Sequence, residues 1–445
     1  MRISLALVAA VGLGYTVDAR SCDDDLAVRT HGGVVHGMVD GATPAVRQFL
    51  GIPYGRPPPA LPFGELKATE FGPSSMQYAS IIPPNMLTHE LLELNLGGLN
   101  GSAGPISEDC LTLSIWAPRG KTNKKLPVLI FFYGGAFTVG DTNAPYLLPA
   151  QWIERTKSHI VISFNHRDNI FGFPNAAGLP DDDPIANSVI LDSGNEFIDI
   201  LTRDPAHANF TFAASHLGCA SLNPADELAC MRAVDAQAIE DFIQTYSESG
   251  PATPPLYFSA VLNDGRTIFA NYTALAHAGQ IARLPALLGS NAHEGVSFTP
   301  YRPDGVDVEL ADQTTAFFFF CPTYQAARVR VAAHGGKVPV YRYLYSGNFT
   351  NVSPKPWMGA WHGSEMPLVF GTHPLYRGNS TELEYLTSYA MQDAWLAFVA
   401  TGGRKMSIEG WDVWDEVDGG KVVEFGNGVP ARLVDTAGME GGCGL

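Results

Sequence analysis

The 445-residue sequence has few charged residues, and basic residues are the scarcer kind. Charged residues make up 16% of the chain, compared with about 25% in an average globular protein. The 28 Lys and Arg residues are outnumbered by 45 Asp and Glu residues, so the formal net charge is −17. A chain of this charge repels a phosphate backbone, so nucleic acid is not expected as a partner. The 46 Gly and 32 Pro residues stay below the roughly 25–30% typical of low-complexity chains, which leaves a globular protein.

The sequence also lacks metal motifs, nucleotide motifs and a long apolar run. Its six cysteines show no Cys-x-x-Cys spacing, so no metal site and no cofactor are expected. The apolar run at residues 3–17 follows Arg2 and is shorter than the roughly 20 residues that a membrane-spanning helix needs. It ends at Val17-Asp18-Ala19, whose small residues suit a signal peptidase. We therefore predict a signal peptide at residues 1–19, a secreted chain at residues 20–445 and no transmembrane segment. A first core strand or a membrane anchor is the less favoured interpretation.

Secretion would place the chain in an oxidising compartment, where disulfides and N-linked glycans form. The Cys219–Cys230 pair is predicted because a turn at residues 223–226 lies between the two cysteines. The partners of four cysteines stay open: Cys22, Cys110, Cys321 and Cys443. Six Asn-x-Ser/Thr sequons occur, at Asn100, Asn209, Asn271, Asn348, Asn351 and Asn379. Their number fits a glycosylated surface.

Apolar runs and helical patterns alternate along the chain. Residues 126–132 form an unbroken apolar run that ends in Tyr133-Gly134-Gly135, as expected of a central strand buried on both faces. Four further strands are predicted, at residues 160–164, 189–191, 285–288 and 338–345. A helix is predicted at residues 381–401, opened by a capping box at Thr381 and Glu384 and closed at Gly402. The alternation predicts an α/β fold with a mostly parallel sheet and helices on both faces.

One connection between the predicted strands cannot be made in the usual way. Parallel neighbours need a crossover of a dozen or more residues, usually a helix. Residues 172–187 instead contain Pro174, Pro180 and Pro184, which forbid a regular helix there. Either the strands on each side are joined differently, or a crossover helix and the strand beside it are absent from this polypeptide.

Seven separate motifs along the chain match one known family. They lie at residues 48–54 (QFLGIPY), 107–111 (SEDCL), 133–137 (YGGAF), 165–167 (NHR), 172–173 (GF), 289–295 (GSNAHEG) and 362–365 (HGSE). Together they resemble the type B carboxylesterase family, which includes cholinesterases and fungal lipases, and the similarity extends from about residue 33 to residue 434. The resemblance implies an α/β-hydrolase fold and hydrolysis of carboxylic esters or lipids by a Ser-His-Glu triad.

The resemblance also implies roles for four residues. Gly134 and Gly135 match the loop whose backbone N–H groups hold the negative oxygen of the tetrahedral intermediate. Glu294, directly after a predicted strand, matches the acid of the triad, and His362 matches the base. Two serines, Ser74 and Ser75, stand where relatives usually have the cysteine that pairs with the equivalent of Cys110. Cys110 would then pair elsewhere or stay free. The aromatic run at residues 317–320 could line an acyl pocket, although core packing is the preferred interpretation.

The nucleophile is missing from this pattern. The family has a Gly-x-Ser-x-Gly elbow between the oxyanion loop and the acid, because small residues permit the strained turn that exposes the hydroxyl. This sequence contains no such motif. Ser193 follows a predicted strand, but Leu191 stands where Gly is required, so Ser193 is interpreted as a structural or supporting serine. The expected position of the elbow coincides with the impossible crossover, and the interval from Glu294 to His362 is also short for the family.

Three hypotheses follow from the sequence. The first is a secreted carboxylic ester hydrolase whose chain has lost the catalytic serine, either because coding sequence was skipped in reading the gene or because the segment was deleted. The second is a noncatalytic binding or adhesion protein on the same scaffold. The third is a misfolded fragment, since loss of a central strand leaves unpaired edges and apolar surface.

Overall fold

The computed structural model describes residues 25–55, 64–78, 85–91, 105–120, 125–179, 193–198, 204–220, 223–250, 255–259, 268–375, 377–415 and 421–444. The predicted signal peptide, the predicted strand at residues 189–191, Cys22 and Asn100 lie outside these ranges. None of the helices in the described ranges combines the length and apolar composition needed to cross a bilayer.

Eleven strands occur in the described residues and form three sheets. They are β1 (Ala27–Arg29), β2 (Val34–His36), β3 (Val46–Pro53), β4 (Glu65–Lys67), β5 (Thr112–Pro118), β6 (Val128–Phe131), β7 (Ile160–Phe164), β8 (Ala286–Asn291), β9 (Val340–Tyr345), β10 (Val422–Phe425) and β11 (Ala431–Val434). The small sheet has the order β1-β2-β4, and the two larger ones have the orders β3-β5-β7-β6 and β11-β10-β9-β8. Four of the five strands predicted from the sequence are therefore confirmed.

The two larger sheets are mixed. Pairing is parallel between β6 and β7, between β8 and β9 and between β9 and β10. It is antiparallel between β3 and β5, between β5 and β7 and between β10 and β11. The parallel strands β6 and β8 stand at the ends of their sheets. No strand in the described part of the chain pairs with the outer side of either one.

The prediction that β6 is a central strand buried on both faces is wrong. Val128 and Ile130 are 46% and 50% exposed, whereas Leu129 and Phe131 between them pack against the apolar core. Alternation of this kind is expected of a strand with one uncovered face. The physical reason is that no described strand or helix covers that face. Loss of a crossover helix and its strand, one of the two alternatives left open by the sequence, would produce an uncovered face of this kind.

Twelve α-helices occur in the described residues. They are α1 (Met86–Glu90), α2 (Ala150–Thr156), α3 (Asn169–Gly172), α4 (Ala208–His216), α5 (Pro224–Met231), α6 (Ala236–Glu248), α7 (Tyr272–His277), α8 (Val308–Thr315), α9 (Cys321–His334), α10 (Met366–Phe370), α11 (Glu382–Thr401) and α12 (Ala437–Glu440). Helix α11 confirms the capping prediction, because Thr381 accepts a hydrogen bond from the Glu384 N–H and Gly402 closes the helix at φ 60°.

Two disulfides lie within the described residues. Cys219 and Cys230 join the ends of α4 and α5 inside a small apolar cluster formed with α6. Cys321, the first residue of α9, is bonded to Cys443 near the C-terminus. Cys110 is buried and forms no disulfide with a described residue; its thiol lies in hydrogen-bonding contact with Ser75. Burial raises the pKa of the Cys110 thiol to about 11, so the thiol stays protonated at neutral pH and is a poor nucleophile.

Glu240 of α6 makes the stability of this helical cluster depend on pH. The side chain is 1% exposed. Burial raises the pKa of Glu240 from 4.5 to about 7, and a weak hydrogen bond from Asn169 opposes this shift. When a buried acid has a higher pKa in the folded state than in the unfolded state, the protein loses stability as the pH rises from the unfolded pKa to the folded pKa.

Glu240→Gln is therefore expected to raise the free energy of unfolding by about 3 kcal/mol at pH 8 and to change it little near pH 4. Urea unfolding at both pH values tests this. Glu409→Gln, at an exposed position, serves as the control. An equal effect of Glu240→Gln on the free energy of unfolding at both pH values would contradict the prediction.

Candidate active site

Glu294 lies directly after β8, in a short 3₁₀ turn at Glu294–Ser297. Its side chain is fully buried, and both carboxylate oxygens accept hydrogen bonds. Oε1 accepts from the backbone N–H of Asn291 at 2.7 Å and from the hydroxyl of Ser193 at 2.6 Å. Oε2 lies 2.6 Å from Nδ1 of His362. A buried carboxylate satisfied in this way has a fixed orientation, as the acid of a triad needs.

His362 follows β9 and lies in the turn that leads to α10. The short contact with Glu294 assigns the proton to Nδ1, so Nε2 is the atom of the neutral ring that could accept a proton. The backbone N–H of His362 donates to the Ser297 hydroxyl at 3.3 Å. The imidazole also packs against two aromatic rings, those of Phe298 and Phe319, at centroid distances of 5.1 and 5.0 Å.

The aromatic run behind His362 is divided between two environments. Residues Ala316–Phe320 form a π-helical turn between α8 and α9. Phe319 and Phe320 are buried, whereas Phe317 is 68% exposed. The preferred prediction of core packing therefore holds for Phe319 and Phe320, and Phe319 in addition forms part of the wall of the candidate site.

Ser193 contacts the acid and not the base. Its hydroxyl donates to Oε1 of Glu294, the oxygen that does not bind His362. The side chain is 6% exposed, and the backbone has φ 47°, in the left-handed region. A serine in this position supports the carboxylate, because its hydroxyl bonds one carboxylate oxygen and the imidazole bonds the other. This is the place that the sequence interpretation gave it.

Gly134 and Gly135 lie in the loop that follows β6. Gly135 has φ 154°, and a Cβ at this position would lie 1.7 Å from the carbonyl oxygen of Val139, so only glycine fits. The Gly135 carbonyl accepts hydrogen bonds from Thr138 and Val139. In the described ranges, the N–H groups of Gly134 and Gly135 donate to no other group. Backbone N–H groups left open in this way can hold an anionic oxygen.

The loop that contains Gly134 and Gly135 is supported by a histidine–aspartate pair that the sequence reasoning missed. His166 Nδ1 lies 3.0 Å from Asp168, whose side chain is fully buried. The His166 ring stacks on Tyr133 at 4.4 Å, and the Tyr133 hydroxyl accepts from the His166 N–H at 3.1 Å. Burial lowers the pKa of His166, but the hydrogen bond and charge of Asp168 outweigh burial and raise it. The spacing His-x-Asp directly after β7 was the available signal.

The structure thus joins Glu294 and His362 and places Gly134 and Gly135 at the end of another strand. Of the two serines described at this pair, Ser193 donates its hydroxyl to Glu294, and Ser297 accepts a hydrogen bond from the backbone N–H of His362. No group of His, Cys, Asp and Glu side chains among the described residues could hold a metal ion.

The sequence model described as "Carboxylesterase family" matches residues 24–181, 179–313 and 302–427. The chain belongs to the carboxylesterase family. The α/β-hydrolase fold follows from this membership. The first junction between matched segments, at residues 179–181, coincides with the impossible crossover. The second, at residues 302–313, lies in the interval between Glu294 and His362 that is short for the carboxylesterase family.

Three carboxylesterase relatives illustrate the similarity. A chlorogenic acid esterase of Aspergillus niger is 36% identical over 439 residues, covering 84% of this chain and 83% of the relative. Secreted lipase 5 of Gibberella zeae is 32% identical over 501 residues, covering 92% of each. A cholinesterase of Mus musculus is 23% identical over 505 residues, covering 85% of this chain and 79% of the relative. The second and third alignments are longer than this 445-residue chain, so these relatives carry internal residues that it lacks.

Proposed function

We propose that this chain is a secreted carboxylesterase-family protein that binds small carboxylic esters or lipids and, without a nucleophile elbow, hydrolyses them slowly at most. The N–H groups of Gly134 and Gly135 would hold the carbonyl oxygen. His362 would act as the proton acceptor, and Glu294 would fix its ring. The observation that supports this most is the 2.6 Å contact between His362 Nδ1 and the fully buried Glu294 carboxylate.

The missing serine limits the expected rate. In a serine hydrolase without its nucleophile, the oxyanion hole and substrate binding alone still accelerate hydrolysis roughly 10³–10⁴-fold over water. We expect the purified chain to reach no more than this with short and long acyl nitrophenyl esters. Turnover should show no initial burst and no inhibition by an organophosphate. Stoichiometric organophosphate labelling with loss of turnover would reveal an attacking serine and would overturn the proposal.

A noncatalytic role in binding or adhesion is the second candidate, and the absence of Gly-x-Ser-x-Gly favours it. The retained Glu294–His362 pair opposes it, because a site without chemistry has no need of an oriented imidazole. The two candidates differ in one measurement. An ester hydrolase gives turnover that falls in His362→Ala, whereas a binding protein shows no His362-dependent turnover and forms a complex with a protein partner.

Secretion would expose the sequons to glycosylation, and their surroundings discriminate between them. Asn271 and Asn379 are exposed. Asn351 is 3% exposed, and its amide nitrogen donates to the His373 carbonyl and the Ser380 hydroxyl. Glycan is therefore expected at Asn271 and Asn379 and not at Asn351, since a glycan on the buried amide nitrogen of Asn351 would replace its two hydrogen bonds and has no room in this fold. Glycopeptide mass spectrometry of the secreted chain measures this, and an occupied Asn351 would contradict it.

A further inference from the structure

His293 ties the loop that carries the acid to the loop that carries the base. The residue stands directly before Glu294, and its backbone N–H donates to the Ala360 carbonyl at 3.0 Å. Its ring accepts in return, because Nδ1 lies 3.1 Å from the backbone nitrogen of Ala360. Ala360 is two residues before His362. A pair of hydrogen bonds in opposite directions between the same two residues fixes both the separation and the rotation of the two segments.

Residues 359–362, which form the base loop, have a backbone that lets the His293 ring come close to Ala360. Gly359 has φ 56°, and a Cβ there would lie 2.5 Å from Nδ1 of His293. Any other residue would push the imidazole away from Ala360. The Gly359 carbonyl is itself held by the Ser353 hydroxyl at 2.8 Å. The close contact between His293 and the base loop therefore depends on the missing side chain of Gly359 and on the hydrogen bond that holds the Gly359 carbonyl.

A second tie reaches the base loop at a different residue. The Asn291 amide is fully buried and donates to the Trp361 carbonyl at 2.7 Å and to the Glu365 carboxylate. Asn291 thus holds Trp361, whereas His293 holds Ala360. These two bonded residues are the two that directly precede His362. A 2.6 Å hydrogen bond is sensitive to displacements well below 1 Å, so each tie affects how well Nδ1 meets Glu294.

We propose that His293 is a positioning residue for the Glu294–His362 pair, acting through its two hydrogen bonds to Ala360. The inference rests on the proposed function, because it assigns a role in orienting the proton acceptor. His293 touches neither reacting atom. It is an exposed side chain at the rim of a cavity that also contains Asp304, Asp312 and Trp357, so its replacement leaves the core intact.

The bond requires an unprotonated Nδ1. Although His293 reaches solvent, its ring is partly buried, and this partial burial lowers the pKa of His293, while the charge of Asp312 opposes the shift. Asp304 is the other charged group that lines the cavity. A histidine with a lowered pKa keeps its acceptor above that pKa and loses it as the pH falls. The contact between His293 and Ala360 is thus made at neutral pH and broken in acid.

The test observes the His362–Glu294 proton directly, without substrate. A short imidazole–carboxylate hydrogen bond gives a far-downfield proton resonance, which Glu294→Gln would assign by abolishing it. His293→Leu removes the acceptor, and His293→Asn keeps an oxygen that can accept from Ala360. We expect the resonance to shift upfield and exchange about fivefold faster in His293→Leu, the factor that corresponds to one hydrogen bond. His293→Asn should restore the resonance toward the unsubstituted position.

Circular dichroism melting establishes that both variants are folded. An unchanged resonance and exchange rate in folded His293→Leu would overturn the positioning role and leave the proposed function standing. Equal loss in His293→Leu and His293→Asn would also overturn it, because the acceptor would then not matter. A missing resonance in the unsubstituted chain at neutral pH would overturn the pair itself and the inference with it. Slow or absent ester turnover bears on the proposed function alone.

Discussion

Insertion of the missing segment is expected to raise the rate of ester hydrolysis by about 10⁶-fold, the factor that a lost triad serine costs in a serine hydrolase. The insert would be the crossover helix, strand and Gly-x-Ser-x-Gly elbow of a carboxylesterase relative, placed after Leu179. Under the proposed function, the other parts are already present: the Glu294–His362 pair at 2.6 Å and the N–H groups of Gly134 and Gly135, which donate to no group in the described ranges. The hydrolysis of p-nitrophenyl butyrate and labelling by an organophosphate measure the gain.

Two matched controls separate chemistry from folding. The same insertion with its serine changed to alanine should fold equally well and show only the slow rate of the original chain. The insertion combined with His362→Ala should lose the gain as well, since the serine then has no base. The inserted strand should also cover β6, so the amides near Val128 and Ile130 should exchange more slowly with solvent. A folded insertion protein that remains inactive and unlabelled would show that the retained residues do not form a competent site.

Local signals in the sequence predicted the elements that local physics determines. Strand β7 occupies residues 160–164 as predicted, because its apolar run is bounded on both sides by polar residues. Helix α11 begins after Thr381 and ends before Gly402, because capping side chains and a left-handed glycine act within one turn. The candidate acid and base were found through the resemblance, since a lone Glu and a lone His carry no signal by themselves.

Features that depend on neighbours far along the chain were beyond this reasoning. The apolar sequence of β6 is that of a strand buried on both faces, but Val128 and Ile130 are exposed because no described element packs on their face. The pairing of Cys321 with Cys443 joins residues 122 apart, and no turn between them indicates it. The contact between His293 and Ala360 is likewise invisible in the sequence, because it depends on the path of the base loop.

The disulfide between Cys321 and Cys443 is expected to stabilise the fold more than the one between Cys219 and Cys230. A cross-link restricts the unfolded chain in proportion to the logarithm of the loop it closes. The two loops span 122 and 11 residues, which correspond to about 5 and about 3 kcal/mol in the chain-entropy model. Replacing both cysteines of each pair by alanine, followed by urea unfolding at fixed pH, measures the two contributions under matched conditions.

A buried ion pair beside Cys443 is expected to enlarge the difference in stability between the two disulfides. Arg342 of β9 is 2% exposed and packs its guanidinium beside the rings of Phe320, Tyr324 and Trp414. Its carboxylate partner is Glu440 of α12, three residues before Cys443. Loss of the long-loop disulfide frees this end of the chain, and a buried guanidinium without its partner is strongly destabilising. Arg342→Met should therefore lessen the cost of removing Cys321–Cys443 while leaving that of Cys219–Cys230 unchanged. Equal costs for the two disulfides, or an equal effect of Arg342→Met on both, would contradict this coupling.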